Sequence, residues 1–77
     1  MSTYQTNSDK ILQAVIEDDQ LIKCYDYNPN DYSTIAEALD SDIAVIQAVA
    51  QIISRNEQKA TEREIYNELS NFLKSNI

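Results

Sequence analysis

The chain has few side chains that could do chemistry, and its one thiol, Cys24, has no histidine to activate it. Histidine is the commonest general base in enzymes and a common zinc ligand, and the sequence contains none. It also contains no glycine, which excludes glycine-rich phosphate-binding loops. A single thiol can form neither an intramolecular disulfide nor a zinc site. We therefore expect no enzymatic activity, no metal and no cofactor, with Cys24 a half-buried apolar residue in a reducing compartment.

Two clusters of charge could in principle hold a ligand. Residues 17–19 are three consecutive acids, but their side chains point in different directions on a helix and lack calcium-loop spacing. A solvated face is therefore the simpler interpretation. Arg55, Lys59 and Arg63 are spaced four apart and would line one face if a single helix spanned them. That face could contact an acidic partner or a phosphate, or it could be a solvated face that neighbouring acids neutralise.

The chain is acidic, with 13 acids, 6 bases and a net charge of −7. The imbalance is greatest over residues 31–54, which hold four acids and no base, whereas residues 55–77 hold four of each. Non-specific binding to nucleic acid is mostly electrostatic, so an acidic chain is repelled by phosphate backbones. We expect nucleic acid not to be the partner of this chain.

The spacing of apolar residues predicts helices separated by short polar breaks. The first helix begins at about Ser8 and is interrupted at residues 17–19, after which a second short helix or a continuation reaches about Tyr25. Residues 28–31 form a turn, because proline fixes its own φ and disfavours helix in the residue before it. A third helix is expected over residues 31–39. Its inward side chains would be Tyr32, Ile35, Ala36 and Leu39.

Capping signals refine these boundaries. Thr34 and Glu37 have the spacing of a capping box, which would start the third helix one turn later. A second capping box at residues 61–64 precedes a last helix that continues to about Ser75. No run alternates as a strand would. We therefore predict an all-α protein, a compact bundle of four to five short helices, in which a flexible polar tail (1–7) precedes a single helical domain (8–77).

The helix expected over residues 43–53 is apolar on nearly every side, since its polar residues are Gln47 and Gln51. A helix of this kind is central to a core or is covered by a partner. In so small a protein we expect too few other helices to cover every face. This favours a homo-oligomer or a protein partner.

Residues 34–49 resemble a helix-turn-helix, the tri-helical unit of many DNA-binding proteins. Small and aliphatic residues stand where its two helices pack together, namely Ile35, Ala36, Leu39, Ile43, Ile46 and Val49. Asp40 takes the place of the usual turn glycine, and residues 41–51 hold no Lys or Arg to reach bases or phosphates. The resemblance implies a helix-turn-helix-like core, and the missing cations favour protein binding over reading of DNA.

Tyrosines bracket the turn at Pro29 and could form a contact patch, because tyrosine is enriched in binding hot spots. Alternatively, the rings cover the core beside the turn. Together with the acidic middle segment, they give the candidate partner-binding residues Tyr25, Tyr27, Tyr32, Asp40, Asp42 and Gln47.

The function expected from these observations is that of a small acidic protein-binding module, a regulator, adaptor or inhibitor that acts through helix-face contacts. One alternative is a helix-turn-helix transcriptional regulator, and another is an acidic mimic of nucleic acid that inhibits a DNA-handling enzyme. Residues 1–8 lack the apolar core of a signal peptide, and no stretch is long and apolar enough to span a bilayer. We therefore expect a cytoplasmic protein with no membrane partner.

Overall fold

Five α-helices and one 3₁₀ turn form the structure. A computed structural model of the protein describes residues 8–57 and 59–76. Its helices are α1 (Ser8–Ile16), α2 (Asp19–Cys24), α3 (Ile35–Leu39), α4 (Ala44–Asn56) and α5 (Glu62–Asn76), and Pro29–Asp31 form the 3₁₀ turn. No strand occurs in these two described ranges, and the prediction of an all-α bundle of four to five short helices is confirmed. The tail predicted for residues 1–7 lies outside the described residues.

The central helix is α4, which contacts α1, α3 and α5. Its buried side chains are Val45, Ile46, Val49, Ala50, Ile52 and Ile53. The side chains of α1 and α5 that bury against this core are Ile11, Leu12, Val15, Ile16, Ile65 and Leu69. The expectation that the other helices are too few to cover α4 is therefore wrong. The three helices bury most of its apolar surface and leave the polar Gln47 and Gln51 exposed.

Side-chain caps decide where α2 and α5 begin. Asp18 Oδ1 accepts a hydrogen bond from the N–H of Gln20 at 2.9 Å, so α2 starts as a separate helix after the end of α1. At α5, Thr61 Oγ1 accepts from the N–H of Glu64 at 3.3 Å, and Glu64 Oε1 accepts from the N–H of Thr61 at 3.1 Å. This reciprocal pair is the capping box that the sequence predicts.

The third helix begins at Ile35, one turn later than the range 31–39 predicts. Thr34 supplies the reason, because its Oγ1 accepts a hydrogen bond from the N–H of Glu37 at 3.3 Å. Asp9 of α1 also accepts from the N–H of Ile35, at 3.1 Å. The start of α3 is thus fixed both by its own cap and by the first turn of α1.

The face that α3 presents to the core also differs from the predicted one. Ala38 is fully buried, whereas Ala36 is exposed, so the inward position predicted for Ala36 is wrong. Ile35 and Leu39 are half-buried and pack against the core, as expected. The small side chain of Ala38 lets α3 lie close to α4, the pair of helices with the most extensive contact.

Candidate binding groove

An open groove lies between α5 on one side and α1 with α2 on the other; we call it the α1–α2/α5 groove. Its volume is about 400 Å³, within the roughly 300 to 1,000 Å³ of typical ligand sites. One wall consists of Ala14, Val15, Asp18, Gln20 and Leu21, and the other of Tyr66, Leu69, Ser70, Leu73 and Lys74. The groove is therefore a recess between packed helices that a side chain of another molecule could fill.

The deepest parts of the groove belong to the core. Val15, Leu21 and Leu69 are buried and give it an apolar floor. Leu73 is half-buried, and the ring of Tyr66 is 37% exposed at the edge. An apolar floor with a partly exposed tyrosine beside it is typical of a surface that another protein can cover.

The groove carries one charge on each wall. Asp18 stands on the α1–α2 wall and Lys74 on the α5 wall. Among the described residues, the amine of Lys74 forms no ion pair with a carboxylate, whereas Asp18 uses Oδ1 to cap α2. Glu17 and Asp19, on either side of Asp18, are also exposed but do not belong to the lining.

The groove does not follow from the sequence pattern, because it depends on how α5 lies against α1 and α2. One signal was present in the sequence. Tyr66, Leu69 and Leu73 are spaced i, i+3 and i+7, and so they share a stripe of α5. This stripe lies beside the one that Ile65 and Leu69 bury, so the apolar face of α5 is wider than its contact with α4 requires.

The tyrosines near Pro29 form a small cluster that is tied to the fold. The rings of Tyr27 and Tyr32 meet edge to face, with centroids 6.0 Å apart. The hydroxyl of Tyr27 donates to the carbonyl of Ile16 at the end of α1, and Tyr32 Oη lies 3.0 Å from Ser41 Oγ. Tyr25 is half-buried and packs against the core. These contacts connect the loop before α3 to two other parts of the bundle.

The environment of Tyr27 alters its acidity. Burial of the phenol raises the pKa of Tyr27 to about 12, and the nearby negative charge of Asp18 and contact with Tyr32 add to the effect. The neutral phenol is the form that can donate its proton to the Ile16 carbonyl. Tyr27 therefore acts as a donor that holds the chain together, in the protonated state at neutral pH.

The other candidate contact residues lie around the turn between α3 and α4. Asp40 and Asp42 are exposed on either side of Ser41, the residue that contacts Tyr32. Gln47 Nε2 donates to the carbonyl of Leu39 at 3.2 Å. The structure thus brings most of the candidates to one region, where Tyr27, Tyr32 and Gln47 already have partners inside the chain. A role of the six residues in partner binding stays a prediction.

The basic residues do not line one helix. α4 ends at Asn56 and α5 begins at Glu62, so the spacing of Arg55, Lys59 and Arg63 does not correspond to one helical face. Arg55 forms a salt bridge with Glu68 at 3.1 Å, where the two side chains remain exposed. The stretch that resembles a recognition helix exposes Asp42, Ala44, Gln47 and Gln51, none of which carries a positive charge.

Three further features were considered in the sequence, namely the thiol of Cys24, a metal site and a membrane-spanning helix. Cys24 is exposed and not half-buried as expected, because Leu21 is the buried residue of the short helix α2. In residues 8–57 and 59–76, no group of three carboxylates or thiols converges to hold a metal ion. None of the described helices is long and apolar enough to cross a membrane.

Comparison of the chain with known protein families, characterised proteins and solved structures found no match.

Proposed function

We propose that the protein is a small acidic protein-binding module, a regulator, adaptor or inhibitor, that binds its partner in the α1–α2/α5 groove without catalysis. The observation that carries the proposal is the groove itself. Apolar side chains of α1, α2 and α5 line it, and the ring of Tyr66, which is 37% exposed, stands at its edge. The absence of histidine and the unpaired thiol support a binding role in a reducing compartment, and we include a cytoplasmic location in the proposal.

The shape of the groove suits contact with a helix face. Tyr66 and Lys74 mark the extent of its α5 wall, and eight residues of helix rise about 12 Å, or two turns. A helix laid along this wall would bring side chains at i, i+3 or i+4, and i+7 to the apolar floor. The acidic surface of residues 31–54 would steer a partner of opposite charge toward the molecule.

The test uses two matched arginine substitutions at exposed alanines. Ala14→Arg puts a long charged side chain on the wall of the groove, and Ala36→Arg makes the same change on α3, away from the groove lining. Both positions are exposed and both variants carry the same net charge, so a difference between them reports on the groove. Helix content measured by circular dichroism first establishes that each variant is folded.

Tagged wild-type protein and both variants are used to capture partners from lysate of the source cells, with nuclease present. We expect one stoichiometric partner with the wild type and with Ala36→Arg, and its loss with Ala14→Arg. A partner that all three proteins retain equally would place binding elsewhere, on the acidic turn between α3 and α4 for example. Capture of no protein by the folded wild type would contradict the binding role.

A further inference from the structure

We propose that the occupant of the α1–α2/α5 groove is a basic amphipathic helix of a partner protein, whose apolar face meets the floor and whose Lys or Arg side chains meet the α1–α2 wall. This inference rests on the proposed function and adds the chemical class of the partner. It follows from the distribution of apolar and charged groups around the groove.

The apolar side chains of α5 repeat along the groove in a helical register. Tyr66, Leu69 and Leu73 follow one another at i, i+3 and i+7, and all three line the groove. Val15 and Leu21 face them from the other wall. A groove between two helical walls, with apolar groups repeating over about two turns, matches a helix with the same repeat better than it matches a flat surface.

The turn between α1 and α2 carries three consecutive acidic residues. Glu17, Asp18 and Asp19 are exposed in succession, and Asp18 lies within the lining itself. A helix seated on the floor would bring its flanking side chains close to the Asp18 carboxylate. Basic groups there would form ion pairs at a partly desolvated site, whereas acidic groups would be repelled.

The net charge of the whole chain favours the same partner and disfavours a second copy of this chain. Two molecules that each carry −7 repel one another, while a basic segment is attracted at long range. Lys74 is the one cation in the lining, and it stands on the wall opposite Asp18. The partner helix therefore needs its basic residues on the side that faces α1 and α2.

The probe is a pair of synthetic peptides of sixteen residues, acetylated and amidated, with the same Leu residues at i, i+3 and i+7. One carries Lys on its polar face, and the other carries Glu at the same positions. Binding to the full chain is followed by amide chemical shifts in NMR titrations at low and at moderate salt. We expect the Lys peptide to bind, with the largest shifts at the residues of the groove, and the Glu peptide to bind at least tenfold more weakly.

Two matched variants test the contribution of the Asp18 carboxylate to binding. Asp18→Asn removes the charge but keeps an N-cap residue for α2, and Asp31→Asn removes one exposed charge outside the groove. We expect Asp18→Asn to weaken binding of the Lys peptide about twofold to fivefold, the effect of one exposed ion pair, and Asp31→Asn to weaken it less. Added salt should reduce the difference between the wild type and Asp18→Asn.

Equal binding of both peptides, equal effects of the two asparagine variants, or no binding of the Lys peptide at millimolar concentration would overturn the inference. These outcomes leave the proposed function to its own test. A cellular partner that Ala14→Arg loses would still establish the groove as the docking site, and the chemistry of that partner would then differ from the one inferred here.

Discussion

Among single residues, Tyr27 contacts several segments of the chain that the sequence pattern alone does not bring together. Its ring meets Tyr32, its hydroxyl donates to the Ile16 carbonyl, and its environment includes Asp18 at the start of α2. The sequence allowed two interpretations of these tyrosines, as a contact patch or as a cover for the core. The observed contacts favour the second interpretation for Tyr27, because its hydroxyl already donates a hydrogen bond within the chain.

The raised pKa of Tyr27 predicts a loss of stability at alkaline pH. The folded pKa of about 12 lies above the ordinary value of 10.0, so the folded state favours the neutral phenol. This contribution is fully present below pH 10 and is lost as the pH rises toward 12, because the unfolded chain releases the proton first. Urea unfolding between pH 9 and pH 12 measures the effect.

The control variants for this prediction are Tyr27→Phe and Tyr66→Phe. Tyr27→Phe should be less stable than the wild type by about 1 kcal/mol at pH 9, through loss of one hydrogen bond, and the difference should shrink by pH 12. Tyr66 is exposed, and Tyr66→Phe should follow the pH profile of the wild type. A constant difference between wild type and Tyr27→Phe across this range would mean that the phenol does not titrate as the structure implies.

At the level of elements, the start of α5 depends on the capping box of Thr61 and Glu64. Thr61→Ala should lower the free energy of unfolding by about 1 kcal/mol, and Thr61→Ser, which keeps the hydroxyl, should change it little. Chemical denaturation at neutral pH measures both variants. Equal stability of Thr61→Ala and the wild type would show that packing alone fixes this end of α5.

The same cap predicts a pH dependence in acid. Hydrogen bonds from the backbone and the hydroxyl of Thr61 lower the pKa of Glu64 below its ordinary value of 4.5. The stabilising carboxylate form is thus fully present above the ordinary value and is lost as the pH falls through the lowered one. In Thr61→Ala, an NMR titration of the Glu64 carboxyl carbon should show its pKa moving back up.

Some features of the helices could be predicted from the sequence, and others could not. The capping box at Thr61, the N-cap at Thr34, the break between α1 and α2 and the turn at Pro29 follow from local chemistry, and the structure contains each of them. The face of α3 does not follow, since the choice between Ala36 and Ala38 depends on how α3 packs against α4. The groove does not follow either, because it exists only once α5 lies beside α1 and α2.

For the whole molecule, the acidic charge and the sealed core constrain the partners. The sequence favoured an oligomer because the apolar surface of α4 was expected to need burial against another chain. The other helices of the same chain bury most of that surface. The α1–α2/α5 groove offers an apolar contact surface, and Ile22 of α2 is a further exposed apolar side chain outside it. A homo-oligomer would therefore have to use surfaces outside α4, against the repulsion of two chains at −7.

The charge of the whole molecule also predicts that duplex DNA does not bind. The exposed side of α4 presents Gln47 and Gln51, and Arg55 at its end pairs with Glu68. Fluorescence anisotropy of a labelled random duplex at low salt should show no binding at micromolar protein. Binding that weakens as salt is added would instead favour the helix-turn-helix regulator.

The central claim is that partners dock in the α1–α2/α5 groove, and the most direct measurement is the affinity of the captured partner for three proteins. Titration calorimetry with the wild type, Ala14→Arg and Ala36→Arg should give a dissociation constant that rises at least tenfold for Ala14→Arg and stays within twofold for Ala36→Arg. Equal affinities for the three proteins, or a larger loss with Ala36→Arg, would contradict the claim and locate the interface on another face of the bundle.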